Sequence, residues 1–186
     1  MMNISFFKKH RICCYVFLTP LCLFLLCSYD WIAAEIITPF RCEMWKGKEV
    51  EVFLTPQEWR NLSGVNESLK DTEWIYYPTI EGEPETEPFF IKNQGLYQPK
   101  MDFYNNRHSL ISVNSKYPNL NLYMYINPTT ILGHDTYILY DHKLKTKILQ
   151  YNKIAGYYDI PFVGLADRVE CNHDQKHYDL IENYLN

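Results

Sequence analysis

Residues Ile12 to Cys27 form an apolar run broken only by Thr19 and Pro20, and a basic cluster of Lys8, Lys9, His10 and Arg11 stands directly before it. The acidic residues Asp30 and Glu35 follow. Positive residues, a compact apolar stretch and then acidic residues are the order of a secretory signal. The run is shorter than the roughly 20 apolar residues that span a bilayer comfortably. Extending it through Trp31, Ile32 and Ala34 would reach that length at the cost of burying Asp30. Residues 1–34 are therefore read as a signal peptide or an N-terminal membrane anchor. The basic side stays cytoplasmic in either case, so both readings place residues 35–186 outside, as a periplasmic, secreted or membrane-anchored domain.

Local chemistry leaves the processing point open. Ala33 and Ala34 are small, but Ile32 stands where a signal peptidase favours a small side chain. Lipidation fits poorly, because Leu26 precedes Cys27 and Leu21 precedes Cys22 where a small residue is needed.

Four of the six cysteines (Cys13, Cys14, Cys22 and Cys27) lie in the apolar segment. Cys42 and Cys171 remain, one near each end of the outer domain. An even pair in an oxidising compartment predicts a disulfide. Closing so long a loop removes about 5 kcal/mol of freedom from the unfolded chain in the entropy model.

About 150 residues outside the membrane suit one domain with its own core. The chain carries 18 basic and 22 acidic residues, for a net charge of −4. Setting aside Lys8, Lys9 and Arg11 makes the outer part more acidic still. That balance excludes nucleic acid as the expected partner, because phosphate recognition needs a basic footprint.

The outer part alternates as strands do. Val50, Val52 and Leu54 interleave with Glu49, Glu51 and Phe53. Thr55, Pro56 and Glu58 then form a capping-box start, with Leu54 and Trp59 spaced as a hydrophobic staple and Gly64 as a stop. A helix is predicted over 56–63. Trp74 to Tyr77 is a short aromatic strand ended by Pro78, and Leu110 to Val113 is another. In the strand from Leu120 to Ile126, Leu120, Leu122, Met124 and Ile126 line one face, while Tyr123 and Tyr125 line a second, expected to be partly wet. Thr136–Tyr140 and Lys147–Tyr151 flank a polar turn and read as a hairpin. Tyr178, Ile181, Tyr184 and Leu185 recur at helical spacing, with Asn172 as N-cap. The fold class is α+β: a mainly antiparallel sheet, a short helix after the first strand and a C-terminal amphipathic helix.

His173 and His177 lie four apart on one helix face, a spacing that can share zinc, and the run resembles the His-Glu-x-x-His helix of zinc proteases. Asp174 replaces the glutamate, and no third ligand stands at a diagnostic distance. Glu81, Glu83, Glu85 and Glu87 alternate between prolines in an exposed loop, which suits docking against a basic cleft. His134-Asp135 and Asp141-His142 bracket a strand with acid/base groups but no nucleophile beside them. The surplus within 16 tyrosines and 4 tryptophans suits protein contact on a wet face.

The leading expectation is thus an exported, non-enzymatic domain that binds another protein, of inhibitor or immunity type, and needs no cofactor. Its expected contacts are Glu81, Glu83, Glu85, Glu87, Tyr123 and Tyr125, and its membrane contact is the N-terminal segment alone. A small zinc-dependent hydrolase using His173 and His177 is the alternative, and an envelope-structural protein a third.

Overall fold

A computed structural model describes residues 18–78, 87–127, 133–160, 165–171 and 175–186. Helix α1 (Leu18–Cys27) and helix α2 (Tyr29–Trp45) meet at a 59° bend. Among the described residues no single helix is long and apolar enough to cross a membrane. Position 34 falls inside α2, which continues to Trp45 despite Pro39.

Strand β1 (Val50–Val52) runs directly into helix α3 (Pro56–Ser63). The expected capping box is present: the Glu58 backbone N–H donates to Thr55 Oγ1 at 3.3 Å, and the Thr55 N–H donates to Glu58 Oε2 at 2.8 Å. Gly64 ends the helix in the left-handed region at φ +76°, where a side chain would be strained. Then follow β2 (Trp74–Tyr76), helix α4 (Glu87–Lys92), β3 (Lys100–Phe103), β4 (Asn106–Asn114), β5 (Leu120–Ile126), β6 (His134–Asp141), β7 (Thr146–Ile160), β8 (Leu165–Glu170) and helix α5 (Gln175–Leu185).

These strands make one eight-stranded sheet in the order β1-β7-β6-β5-β4-β2, with β3 paired to β4 and β8 to the far half of β7. Every pairing is antiparallel. The fold is therefore α+β, as the alternating patterns predict. Residues opposite each other in a ladder share a face, so Leu122, Leu139, Leu149 and Val52 line one side of the sheet. Helices α3 and α5 cover that side, where Trp59, Leu69, Tyr184 and Leu185 close a core over Leu120, Leu139 and Leu149. The Tyr184 hydroxyl donates to the Leu54 carbonyl at 2.7 Å and ties α5 to the end of β1.

The other side holds a second core of Phe90 from α4, Phe103, Leu110, Val113, Tyr123, Ile138 and Tyr140. This corrects the expectation that the tyrosine face of β5 is the wetter one. Tyr123 is fully buried, whereas Met124 and Leu122 on the opposite face are only half-buried. Its hydroxyl stays satisfied by donating to the Gln98 carbonyl at 3.0 Å, and it lies 2.9 Å from Nε2 of His142. The strand pattern identified two faces correctly; which face was covered depended on α4 and β3, which sequence periodicity did not reveal.

Candidate functional site

Cys42 and Cys171 form the expected disulfide, with Cα atoms 5.5 Å apart. It joins the last turn of α2 to the end of β8. Tyr123 offers no surface to a partner, and Tyr125 is half-buried with its ring centroid 5.4 Å from that of His108. Glu87 opens α4, but its side chain and Glu81, Glu83 and Glu85 lie outside the described residues. His173 also lies outside them, as does the side chain of His177, whose backbone belongs to α5. Among the described residues no three His, Cys, Asp or Glu side chains converge as a metal site.

A different group of residues converges on the sheet side that holds the second core. Tyr104 and Asn105 make the two-residue turn between β3 and β4, where Phe103 pairs with Asn106. Both have positive φ, 51° and 64°, as a tight hairpin requires. Asparagine adopts that region readily, but a tyrosine pays roughly 1–2 kcal/mol for it. Tyr104 is nevertheless 58% exposed. Its ring is engaged by one neighbour: the Lys147 ammonium sits 3.7 Å from the Tyr104 ring centroid and 4.1 Å from that of Phe53, and also contacts the Tyr104 hydroxyl. Three separate elements, the β3–β4 turn, the end of β1 and the start of β7, thus build one aromatic–cation–aromatic platform. Stacking of this kind is worth about 0.5–1 kcal/mol at an exposed site.

Beside the platform a polar row crosses the sheet. Tyr125 pairs with Thr136 and Thr136 with Asn152. The Thr136 hydroxyl donates to Asn152 Oδ1 at 2.9 Å. His108 lies next to Tyr125 in this row. Its Nδ1–H donates to the Asn106 carbonyl oxygen at 2.9 Å, which leaves Nε2 as the acceptor nitrogen of a neutral ring. Burial holds the His108 pKa below its ordinary value, with nearby Lys147 acting in the same direction. Nε2 of His108 and Oε1 of Gln150 are both buried without a hydrogen-bond partner among the described residues. Both acceptors are sealed beneath the surface, so the exposed part of this region is the Tyr104 side chain.

An ionisable cluster lies on the opposite face, across β6, β7 and β8. The buried Asp135 carboxyl accepts from the Tyr157 hydroxyl at 2.6 Å and lies 3.7 Å from the Arg168 guanidinium. Arg168 also pairs with Glu170, and Glu170 with Lys153 at 2.9 Å. Burial first, and the Asp135 hydrogen bond second, push the Tyr157 hydroxyl well above its ordinary pKa, so it acts as a fixed donor. This cluster clamps β8 onto the main sheet. Asp135 is thus engaged in the framework, and so is Asp141, which accepts from Trp59, Tyr117 and Leu144.

A hollow of about 400 Å³ opens between α3 and Tyr117, with Lys116 and Lys143 on its wall. Both lysines are engaged, Lys116 with Glu67 at 2.7 Å and Lys143 with the Ser63 carbonyl at 2.6 Å.

No protein-family model, curated protein or solved structure matches this chain. The functional reading therefore rests on the chain's own geometry.

Sequence patterning missed the platform. The visible clue was Asn105, a residue suited to positive φ, ahead of the Leu110–Val113 run that became part of β4. Nothing local connects Tyr104 with Phe53 and Lys147, which meet only after the sheet closes.

Proposed function

We propose that residues 35–186 are an extracytoplasmic, non-enzymatic domain that binds another protein, of inhibitor or immunity type, through the platform of Tyr104, Phe53 and Lys147. The observation that carries this reading is Tyr104: a large aromatic side chain kept exposed in a backbone conformation that disfavours it. Strain at an exposed residue points to a use for that residue. Tyrosines that are rigid and half-stacked make strong interface anchors, because little freedom is lost when they dock. Glu81, Glu83, Glu85 and Glu87 would steer a basic partner from further out. The apolar N-terminal segment and the Cys42–Cys171 disulfide support an oxidising, extracytoplasmic location.

The test replaces Tyr104 with a photo-reactive phenylalanine analogue in cells that make the full chain. Leu62, exposed on α3 in the opposite layer, carries the same group as a control. The reading expects one discrete adduct from position 104 and none from position 62. Equal adducts from both positions, or none from 104, would remove the platform as the contact.

A further inference from the structure

Of the two readings of residues 1–34, signal peptide or membrane anchor, cleavage after Ala34 conflicts with how α2 is built into the fold. Its inner side carries Ala34, Thr38 and Arg41, all buried. The Arg41 guanidinium donates to the backbone carbonyls of Gly133 at 3.0 Å and Ala155 at 3.2 Å. Gly156 of β7 faces the helix so closely that an added Cβ would lie 3.2 Å from Cβ of Ala34 and overlap Oγ1 of Thr38. Cys42 locks the last turn to Cys171. Further toward the N-terminus, Ala33 and Ser28 are also buried. Ala33-Ala34, which resembles the small residues of a cleavage site, is thus explained by packing. Small side chains are what let α2 lie against the sheet.

The outer side of the same helix exposes four large apolar side chains. Tyr29, Ile36, Phe40 and Met44 share it, with Ile36 58%, Phe40 71% and Met44 64% exposed. Glu43 lies on this side too, in the last turn, with its exposed carboxylate paired to Lys46 at 3.3 Å. Across the 59° bend, α1 is exposed and apolar as well, at Leu18, Leu21, Leu23, Phe24, Leu25 and Leu26. A helix apolar on every side needs a nonpolar surround. The basic residues Lys8, Lys9 and Arg11 precede it, as anionic headgroups favour.

We infer that residues 1–45 remain attached as a bent membrane anchor, with α1 inserted in the lipid and the Tyr29–Ile36–Phe40–Met44 face of α2 lying at the bilayer surface. The bend between the helices turns the chain from insertion to lying along the interface, and the inner face of α2 carries the domain. Amphipathic interfacial helices bind in this way, through buried apolar area plus headgroup attraction. The inference is independent of what Tyr104 contacts.

Two measurements on the full chain test it. The intact mass of the membrane-extracted protein is expected to include α1; a product starting at Glu35 in the soluble fraction would overturn the inference. The full chain is then reconstituted in vesicles of phosphatidylcholine and phosphatidylglycerol, with or without brominated acyl chains. Phe40→Trp should add emission that brominated lipid quenches, while Leu62→Trp should add emission that it leaves intact. If the Phe40→Trp emission survives brominated lipid, α2 does not lie at the membrane and the inference fails, whatever the partner experiment shows.

Discussion

Nε1 of Trp59 donates to Oδ2 of Asp141 across 2.8 Å, joining α3 to the end of β6 inside the first core. Both side chains are fully buried. The same carboxylate oxygen accepts from the Tyr117 hydroxyl at 3.2 Å, and Oδ1 accepts from the Leu144 N–H at 3.0 Å. Asp141→Ala leaves three donors without their acceptor. Each unsatisfied buried donor costs about 1–3 kcal/mol, with partial relief by water. The expected loss is therefore about 3 kcal/mol, read as a lower urea midpoint with an unchanged slope. A loss below about 1 kcal/mol would show that the network is not a main tie between α3 and the sheet.

Gly156 and Thr38 predict a paired effect. Gly156→Ala forces its methyl into Oγ1 of Thr38 and should destabilise by about 2 kcal/mol. Adding Thr38→Ala removes the atom in the way, so the double variant should recover much of that loss. The cycle reads the coupling directly. Simple additivity would contradict the close approach of α2 to β7.

The disulfide closes a loop with a sequence separation of 129. Replacing both Cys42 and Cys171 with serine should lower stability by about 2–5 kcal/mol. The far-ultraviolet circular dichroism spectrum should persist at low temperature, because both cores are formed by other residues. An unchanged denaturation midpoint would show that the bond adds nothing.

Three histidines give the domain a predictable response to acid. Burial is the first cause that lowers the pKa of His108, His134 and His142 below the ordinary histidine value. The unfolded chain then takes up protons at a higher pH than the native one does. Stability is complete above about pH 6.5 and falls as pH drops toward the depressed native values. Urea midpoints between pH 7 and pH 5 should show the decline. His108→Leu should flatten part of that slope, even though losing the Asn106 hydrogen bond weakens the fold at pH 7. An unaltered slope would remove His108 as a contributor.

Tyr104→Asn separates recognition from stability. Asparagine suits the positive φ of the turn, while the contact of Tyr104 with Lys147 is lost. The larger backbone term and the smaller stacking term leave stability unchanged or raised by up to about 1 kcal/mol. Chemical denaturation measures the outcome. A drop of more than about 1 kcal/mol would make Tyr104 a structural residue and weaken the case for a contact site.

Much of this protein was legible from short stretches of chain. The capping box of Thr55 and Glu58 is read within four residues because its hydrogen bonds are local. The strand around Leu120–Ile126 and the hairpin around Asp141–Lys147 follow from alternation and turn composition. Even the Cys42–Cys171 pair follows from counting, once the apolar segment is set apart. Tertiary structure decided the rest, because coverage and proximity are properties of the closed sheet. Tyr123 and Met124 sit on opposite faces in either view, yet only the docking of α4 and β3 determines that the tyrosine is the buried one. Ala33-Ala34 has the same composition whether a peptidase reads it or a helix packs through it; Gly156, far along the chain, makes it a packing surface. Tyr104, Phe53 and Lys147 carry no shared local signal, and their platform exists only because three strand ends meet in space.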